Sequence, residues 1–127
     1  MEINLNTISK AIHEGNLIQG FYDPPPSLDR QILLVITELA ESIEADRKNK
    51  KCSLSSTALL TLLRYEDDKY FKSQFQNEVK DTFEDEIADT MIRLFDLCGY
   101  LNIDIDKHIS AKVRYNSLRE YKHGKRY

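Results

Sequence analysis

Apolar positions recur along this chain at intervals of three and four residues, the period of an α-helix with one apolar face. Two long stretches carry the pattern most clearly. In the first, Leu28, Ile32, Val35, Ile36, Leu39 and Ile43 form a stripe on a helix that Ser27 can cap and that runs to about Arg47. In the second, Phe83, Ile87, Met91, Leu94, Cys98 and Leu101 form the stripe of a helix predicted over about residues 78–100. Shorter elements surround these two. A first helix is predicted from about Thr7 to Glu14, with Ile8, Ala11 and Ile12 on one face and Gly15 to end it. Gly20 to Pro26 reads as a loop, and Lys48 to Ser53 as a basic, polar turn. Leu59, Leu60, Leu62 and Leu63 predict one short helix and Tyr65, Tyr70, Phe71 and Phe75 another, with Glu66-Asp67-Asp68 between them. Asn102-Ile103-Asp104 breaks the second long helix, and Asp104 can cap a last one from Ile105 to about Glu120. Every element is helical, so the expected fold class is all-α.

Composition agrees. With 127 residues, four Gly and three Pro, the chain is the size of one domain with one core and has little turn-rich sequence. No internal repeat and no low-complexity segment is present. Cys52 and Cys98 lack metal-ligand spacing, and Cys98 falls on an apolar stripe, where a reduced core cysteine is expected. The first residues lack the basic and apolar regions of a signal peptide, and no apolar run approaches the length of a membrane span. The expected compartment is therefore cytoplasmic.

The net charge of −3 is ordinary, but its distribution is uneven. From Glu78 to Asp106 nine acids face two bases, Lys80 and Arg93, whereas from Ala111 onward six bases face Glu120 alone. An acidic centre followed by a basic end suits a polyanionic ligand held through a bridging cation.

Two carboxylate pairs sharpen this picture: Glu38-Leu-Ala-Glu41 and Glu86-Ile-Ala-Asp89. A three-residue step puts both acids of a pair on one helical face. In each helix the first acid sits at the rim of the apolar stripe and the second roughly 60° further round on the same side. If the helices pack together, each close pair of carboxylates repels by roughly 4 kcal/mol at an effective dielectric of 20. Such a cluster takes up either protons or cations, and its hard oxygens suit Mg²⁺ or Mn²⁺ better than zinc. Acidic helix flanks are also commonly no more than solvated charge, so spacing alone leaves both readings open. Lys112, Asn116 and Arg119, spaced four and three apart, share a face of the last helix; they can bind phosphate and sugar oxygens or form a basic last turn that complements the helix dipole. His13, Phe21 and Tyr22 precede the first acidic helix, where an aromatic serves as a packing anchor or a base stacker.

Taken in order, Ile36-Thr-Glu-Leu-Ala-Glu41, Asp85-Glu-Ile-Ala-Asp89 and the closing Lys112-Val-Arg-Tyr-Asn116-Ser-Leu-Arg119, with its His123-Gly-Lys tail, resemble the MazG-like all-α nucleoside triphosphate pyrophosphohydrolases. The likeness covers three segments, about half the chain. It implies hydrolysis of a nucleoside triphosphate to monophosphate and pyrophosphate, with Mg²⁺ (or Mn²⁺) held by Glu38, Glu41, Glu86 and Asp89, and phosphates met by Lys112, Asn116 and Arg119. Lys122, His123 and Lys125 would order around ligand. Ser42 to Asp85 is longer than the family's usual connection, so residues 54–77 read as an inserted helical segment within a single 1–127 domain. The resemblance also implies a four-helix core completed in a homo-dimer or homo-tetramer, and the apolar surface of that segment points the same way. No membrane and no nucleic-acid polymer is expected as a partner. Phosphoribosyl-ATP pyrophosphatases and dimeric dUTPases offer alternative substrates within one chemistry. A Walker-type site is excluded by the absence of Gly-x-x-x-x-Gly-Lys, and a di-iron bundle by the lack of paired Glu-x-x-His motifs. The rival reading is a non-catalytic helical module that oligomerises and holds nucleotide or divalent ions.

Overall fold

The computed structural model describes residues 4–126, the side chain of His123 excepted. Six α-helices account for most of them, and no strand occurs among the described residues: α1 (Leu5–Ile18), α2 (Leu28–Arg47), α3 (Ser56–Leu63), α4 (Asp68–Glu78), α5 (Phe83–Tyr100) and α6 (Ile105–Ser117), followed by a 3₁₀ turn over Tyr121–Gly124. The protein is all-α. Its chain divides into two compact units, one built from the segments up to Pro26 and from Leu94 onward, the other from Ser27–Arg93.

Local chemistry explains the boundaries, including four that differ from expectation. Helix α1 does not stop at Gly15; it continues to Ile18, and the reversal falls at Gly20, whose φ of 84° is the left-handed conformation that closes a helix. Ser27 occupies the cap position of α2, but its hydroxyl makes no capping bond and pairs with Asp29. The long helix expected from Glu78 begins only at Phe83. Asp81 takes a φ of 63° and gives its N–H to Asp85 Oδ2 at 2.9 Å, while Thr82 Oγ1 accepts the N–H of Asp85 at 3.3 Å, so a turn and a fresh cap separate α4 from α5. Helix α6 ends at Ser117, short of Glu120; the Ser117 hydroxyl bonds back to Arg114 O at 2.7 Å, a side-chain competition that favours helix ends. Asp104 caps α6 as expected, accepting from Lys107 N.

In the first unit, α1 lies against α6 and the last two turns of α5. Asn6 Nδ2 donates to Asp104 Oδ1 at 2.8 Å, and Ser9 Oγ donates to the Phe95 carbonyl. Gly99 makes this approach possible, since a Cβ there would stand 2.7 Å from both His13 Cβ and Ser9 O. His13 Nδ1 lies 2.9 Å from Asp96 Oδ1, Tyr22 OH donates to Asp96 Oδ2 at 2.7 Å, and the rings of His13, Tyr22 and Tyr100 pack on one another. Burial and the Asp96 carboxylate push the Tyr22 phenol well above its usual range. Tyr22 is thus a packing anchor.

The second unit departs from its hydrophobic pattern. Of the α2 stripe only Val35 is buried; Leu28, Ile32, Ile36, Leu39 and Ile43 stay 43–55% exposed. Helix α2 instead buries Gln31, Val35, Glu38, Ser42 and Ala45, and α5 buries Glu86 and Thr90. Hydroxyls tolerate this because their own helices satisfy them: Ser42 Oγ donates to Leu39 O at 2.6 Å and Thr90 Oγ1 to Glu86 O at 2.9 Å. The buried apolar residues of the unit are Val35, Ala45, Leu62 and Val79. Helices α3 and α4, the segment read as an insertion, pair through an edge-to-face contact of Tyr65 and Tyr70, ring centroids 4.6 Å apart.

Candidate functional site

The buried face of α2 carries Glu38, and the facing side of α5 carries Glu86; their residues are only 8% and 7% exposed. Glu41, one turn further along α2, is exposed. Oxygens of Glu38, Glu41 and Glu86 lie within 4.8 Å of one another, the spacing of ligands around a single metal ion. Two helices distant in sequence therefore bring three of the four expected acids together. Asp89, the fourth, stands outside that group, but its carboxyl is pushed up by burial and by the charges of Asp85, Glu38 and Glu41.

Crowding of this kind forces the cluster to neutralise itself. Glu86 is pushed up to about 7, first by burial and then by Glu41, to which it is also hydrogen-bonded, with Asp89 and Glu38 adding to the effect. Glu86 consequently keeps its proton into the neutral range. Glu38 is neutralised differently. Arg93 Nε donates to Glu38 Oε1 at 2.5 Å, and the same guanidinium favours the ionised form of Asp89. One proton and one guanidinium thus offset part of four negative charges. Arg93 stands four residues after Asp89 and seven after Glu86, on the same face of α5, a spacing visible in the sequence but not singled out there.

A second acidic group, Asp81, Asp85 and Glu86, also has oxygens within 4.8 Å of one another. Its members are already used: Lys80 Nζ pairs with Asp81 at 3.0 Å, and Asp85 takes the Asp81 N–H in the turn before α5. Near neither group does sequence reasoning foresee Gln31, two turns before Glu38 on the buried face, whose Nε2 and Oε1 are buried without a hydrogen bond. Leaving such groups unpaired costs about 1–3 kcal/mol each.

Lys112, Asn116 and Arg119, expected from the sequence to bind phosphate, belong to the first unit. Lys112 and Asn116 lie one turn apart on α6, as expected, whereas Arg119 falls beyond the helix end. Lys112 is exposed, its ammonium 4.9 Å from the Tyr115 ring centre, and the Arg119 guanidinium lies 5.9 Å from the same ring. Asn116 Oδ1 is buried without a hydrogen bond. His13, Tyr22 and Tyr100 form the aromatic cluster described above, and Phe21 is exposed. The side chain of His123 lies outside the described residues.

In the second unit, Leu54, Ala58, Thr61, Leu62, Tyr65 and Tyr70 line a cavity of about 420 Å³ beside α3 and α4. No titratable cluster faces it beyond Glu78 and the two tyrosines. Cys52 and Cys98 are free thiols, and burial pushes that of Cys98 up. No helix among the described residues is long and apolar enough to cross a membrane. Comparison of the chain with protein-family models, with curated proteins and with solved structures returns no match.

Proposed function

We propose that this protein is a Mg²⁺-dependent nucleoside triphosphate pyrophosphohydrolase of the MazG-like kind, cleaving its substrate to a monophosphate and pyrophosphate. The observation that carries this reading is the convergence of Glu38, Glu41 and Glu86 from two helices onto a buried polar face. A purely solvated acidic surface would not bury two of its three carboxylates. The donor set fits a hard divalent ion on two grounds: all its atoms are carboxylate oxygens, and Glu38 already engages a cation, the Arg93 guanidinium. When bound, Mg²⁺ would neutralise phosphate charge and polarise the bond to be broken.

The chain's own groups have separable roles. Glu38, Glu41 and Glu86 hold the ion. Asp89, one turn along α5, supplies either a further ligand or the base that orients and deprotonates the attacking water. Phosphate binding by Lys112, Asn116 and Arg119 is what the sequence resemblance implies. A cytoplasmic compartment and a nucleotide substrate belong to the same proposal.

The active species in this reading is a homo-dimer or homo-tetramer whose four-helix core is completed by a second copy. Its support is the α2 stripe, where five large aliphatic residues remain 43–55% exposed. Burying the exposed half of each would contribute about 1 kcal/mol apiece. The same stripe favours the second reading, a non-catalytic oligomeric module, and only chemistry separates the two. Pyrophosphate release should be measured with a nucleotide panel and Mg²⁺ for the wild type and for Glu38→Gln, Glu41→Gln and Asp89→Asn. The hydrolase reading expects release by the wild type and a loss of about a hundredfold or more in each folded variant. A folded oligomer inert toward every nucleotide would establish the module instead.

A further inference from the structure

The proposed reading leaves one residue of the cluster without a role. Arg93 is the cation seated among the acids. Its side chain is 40% exposed while that of Glu38 is 10% exposed, so the guanidinium reaches from the open side onto a buried carboxylate. It uses a single donor, Nε; its two terminal nitrogens make no hydrogen bond among the described residues. An arginine–carboxylate pair built for rigidity more often closes with two parallel bonds. Here the two-pronged edge that best matches a phosphate is left open. The residue also lies in line with the acids: Glu86, Asp89 and Arg93 follow one another along one face of α5, about 10 Å from first to last. That is the length scale of a polyphosphate laid along the helix from the carboxylates.

We propose that Arg93 is a phosphate-binding residue held in reserve on Glu38: it leaves that carboxylate when a divalent cation takes it, and offers its free guanidinium edge to the phosphates of the incoming anion. Arg93 thereby has opposite effects on the two ligands. It competes with the metal for Glu38 and recruits the phosphate. This inference rests on the cluster being a cation site, as proposed above, but adds a residue that neither the motif spacing nor the resemblance assigns.

The test uses the full-length chain and two simple probes, Mn²⁺ alone and inorganic pyrophosphate in saturating Mn²⁺, titrated by calorimetry against the wild type, Arg93→Gln and Arg93→Lys. For Arg93→Gln, Mn²⁺ should bind about fivefold more tightly because a competing positive charge is gone. The same variant should bind pyrophosphate about tenfold or more weakly because a charge-assisted pair is lost. Shifts of opposite sign are the signature, since a merely structural ion pair would weaken both on removal. Arg93→Lys keeps the charge and guards against misfolding of the glutamine variant. It should hold Mn²⁺ within about threefold of wild type and still lose pyrophosphate affinity, lacking the planar fork. Pyrophosphate binding unchanged in the folded variants, or Mn²⁺ binding weakened in Arg93→Gln, overturns the role of Arg93. If the folded wild type itself binds no Mn²⁺, the cation-site reading beneath it fails, a distinct result.

Discussion

Replacing Glu86 by Gln should stabilise the metal-free protein at alkaline pH and leave it unchanged at acid pH. In the folded chain this carboxyl titrates near 7, against an ordinary 4.5. Folded molecules therefore keep a proton between those values that unfolded ones release. With respect to this group, stability is complete below about pH 4.5, falls as pH rises and levels off above about pH 7. At about 1.4 kcal/mol per tenfold, the full difference amounts to about 3 kcal/mol. Glu41, the first charged neighbour opposing Glu86, is exposed, so solvent screens part of that repulsion and about 2 kcal/mol is a fairer figure. Glutamine preserves the shape and can donate to Glu41 without ever ionising. For a chain of this size 2 kcal/mol corresponds to a Tm increase of about 6–10 °C. Thermal melts followed by circular dichroism, in chelator and at one fixed protein concentration, should show that gain at pH 8 and almost none at pH 4. A gain of equal size at both pH values would refute the linkage. A variant less stable than wild type at pH 8 would refute the crowding of the carboxylates itself.

Gly99→Ala should cost about 1–3 kcal/mol in urea denaturation, because the new methyl would meet Ser9 O and His13 Cβ at 2.7 Å; an unchanged midpoint would mean that α1 packs differently. Ile36→Asp places a charge on a residue 55% exposed in the single chain, so it should barely affect folding, yet it should convert the proposed oligomer to monomer in sedimentation at micromolar concentration. A wild type that already sediments as an active monomer would remove the basis for that expectation. Lys112→Ala should raise the KM and lower kcat while leaving Mn²⁺ binding unchanged, because Lys112 is exposed and its ammonium lies over the Tyr115 ring; wild-type kinetics would rule out this part of α6 as a phosphate contact.

Several of these features could be read from the sequence, and others could not. Periodicity announced the helices, and Asp104 announced its cap, because both are local. Glu38, Glu41, Glu86 and Asp89 were recognisable from spacing on two helices, and the structure brings the first three together. Which face turns inward was not legible. Periodicity points to Leu28, Ile32, Ile36, Leu39 and Ile43, yet the single chain buries Gln31, Glu38, Ser42 and Ala45. Small and hydroxyl-bearing residues let helices approach while satisfying their own polar groups, and an apolar stripe records burial without naming the chain that provides it. The onset of α5 was missed because Asp81 adopts a left-handed conformation held by Asp85, a choice no apolar pattern reveals. Arg93 was visible as a base four residues after Asp89, but its bond to Glu38 depends on two helices meeting.

In the proposed reading the carboxylate cluster directs hydrolysis between the α- and β-phosphates of a nucleoside triphosphate. Phosphorus NMR of the wild type with Mg²⁺ and a panel of ribo- and deoxyribonucleoside triphosphates tests it directly. The expected spectrum gains the resonances of a nucleoside monophosphate and pyrophosphate together, in equal amounts, and neither appears with Glu38→Gln or when chelator is added. Orthophosphate with a diphosphate, or a panel left intact by folded protein, would contradict the claim.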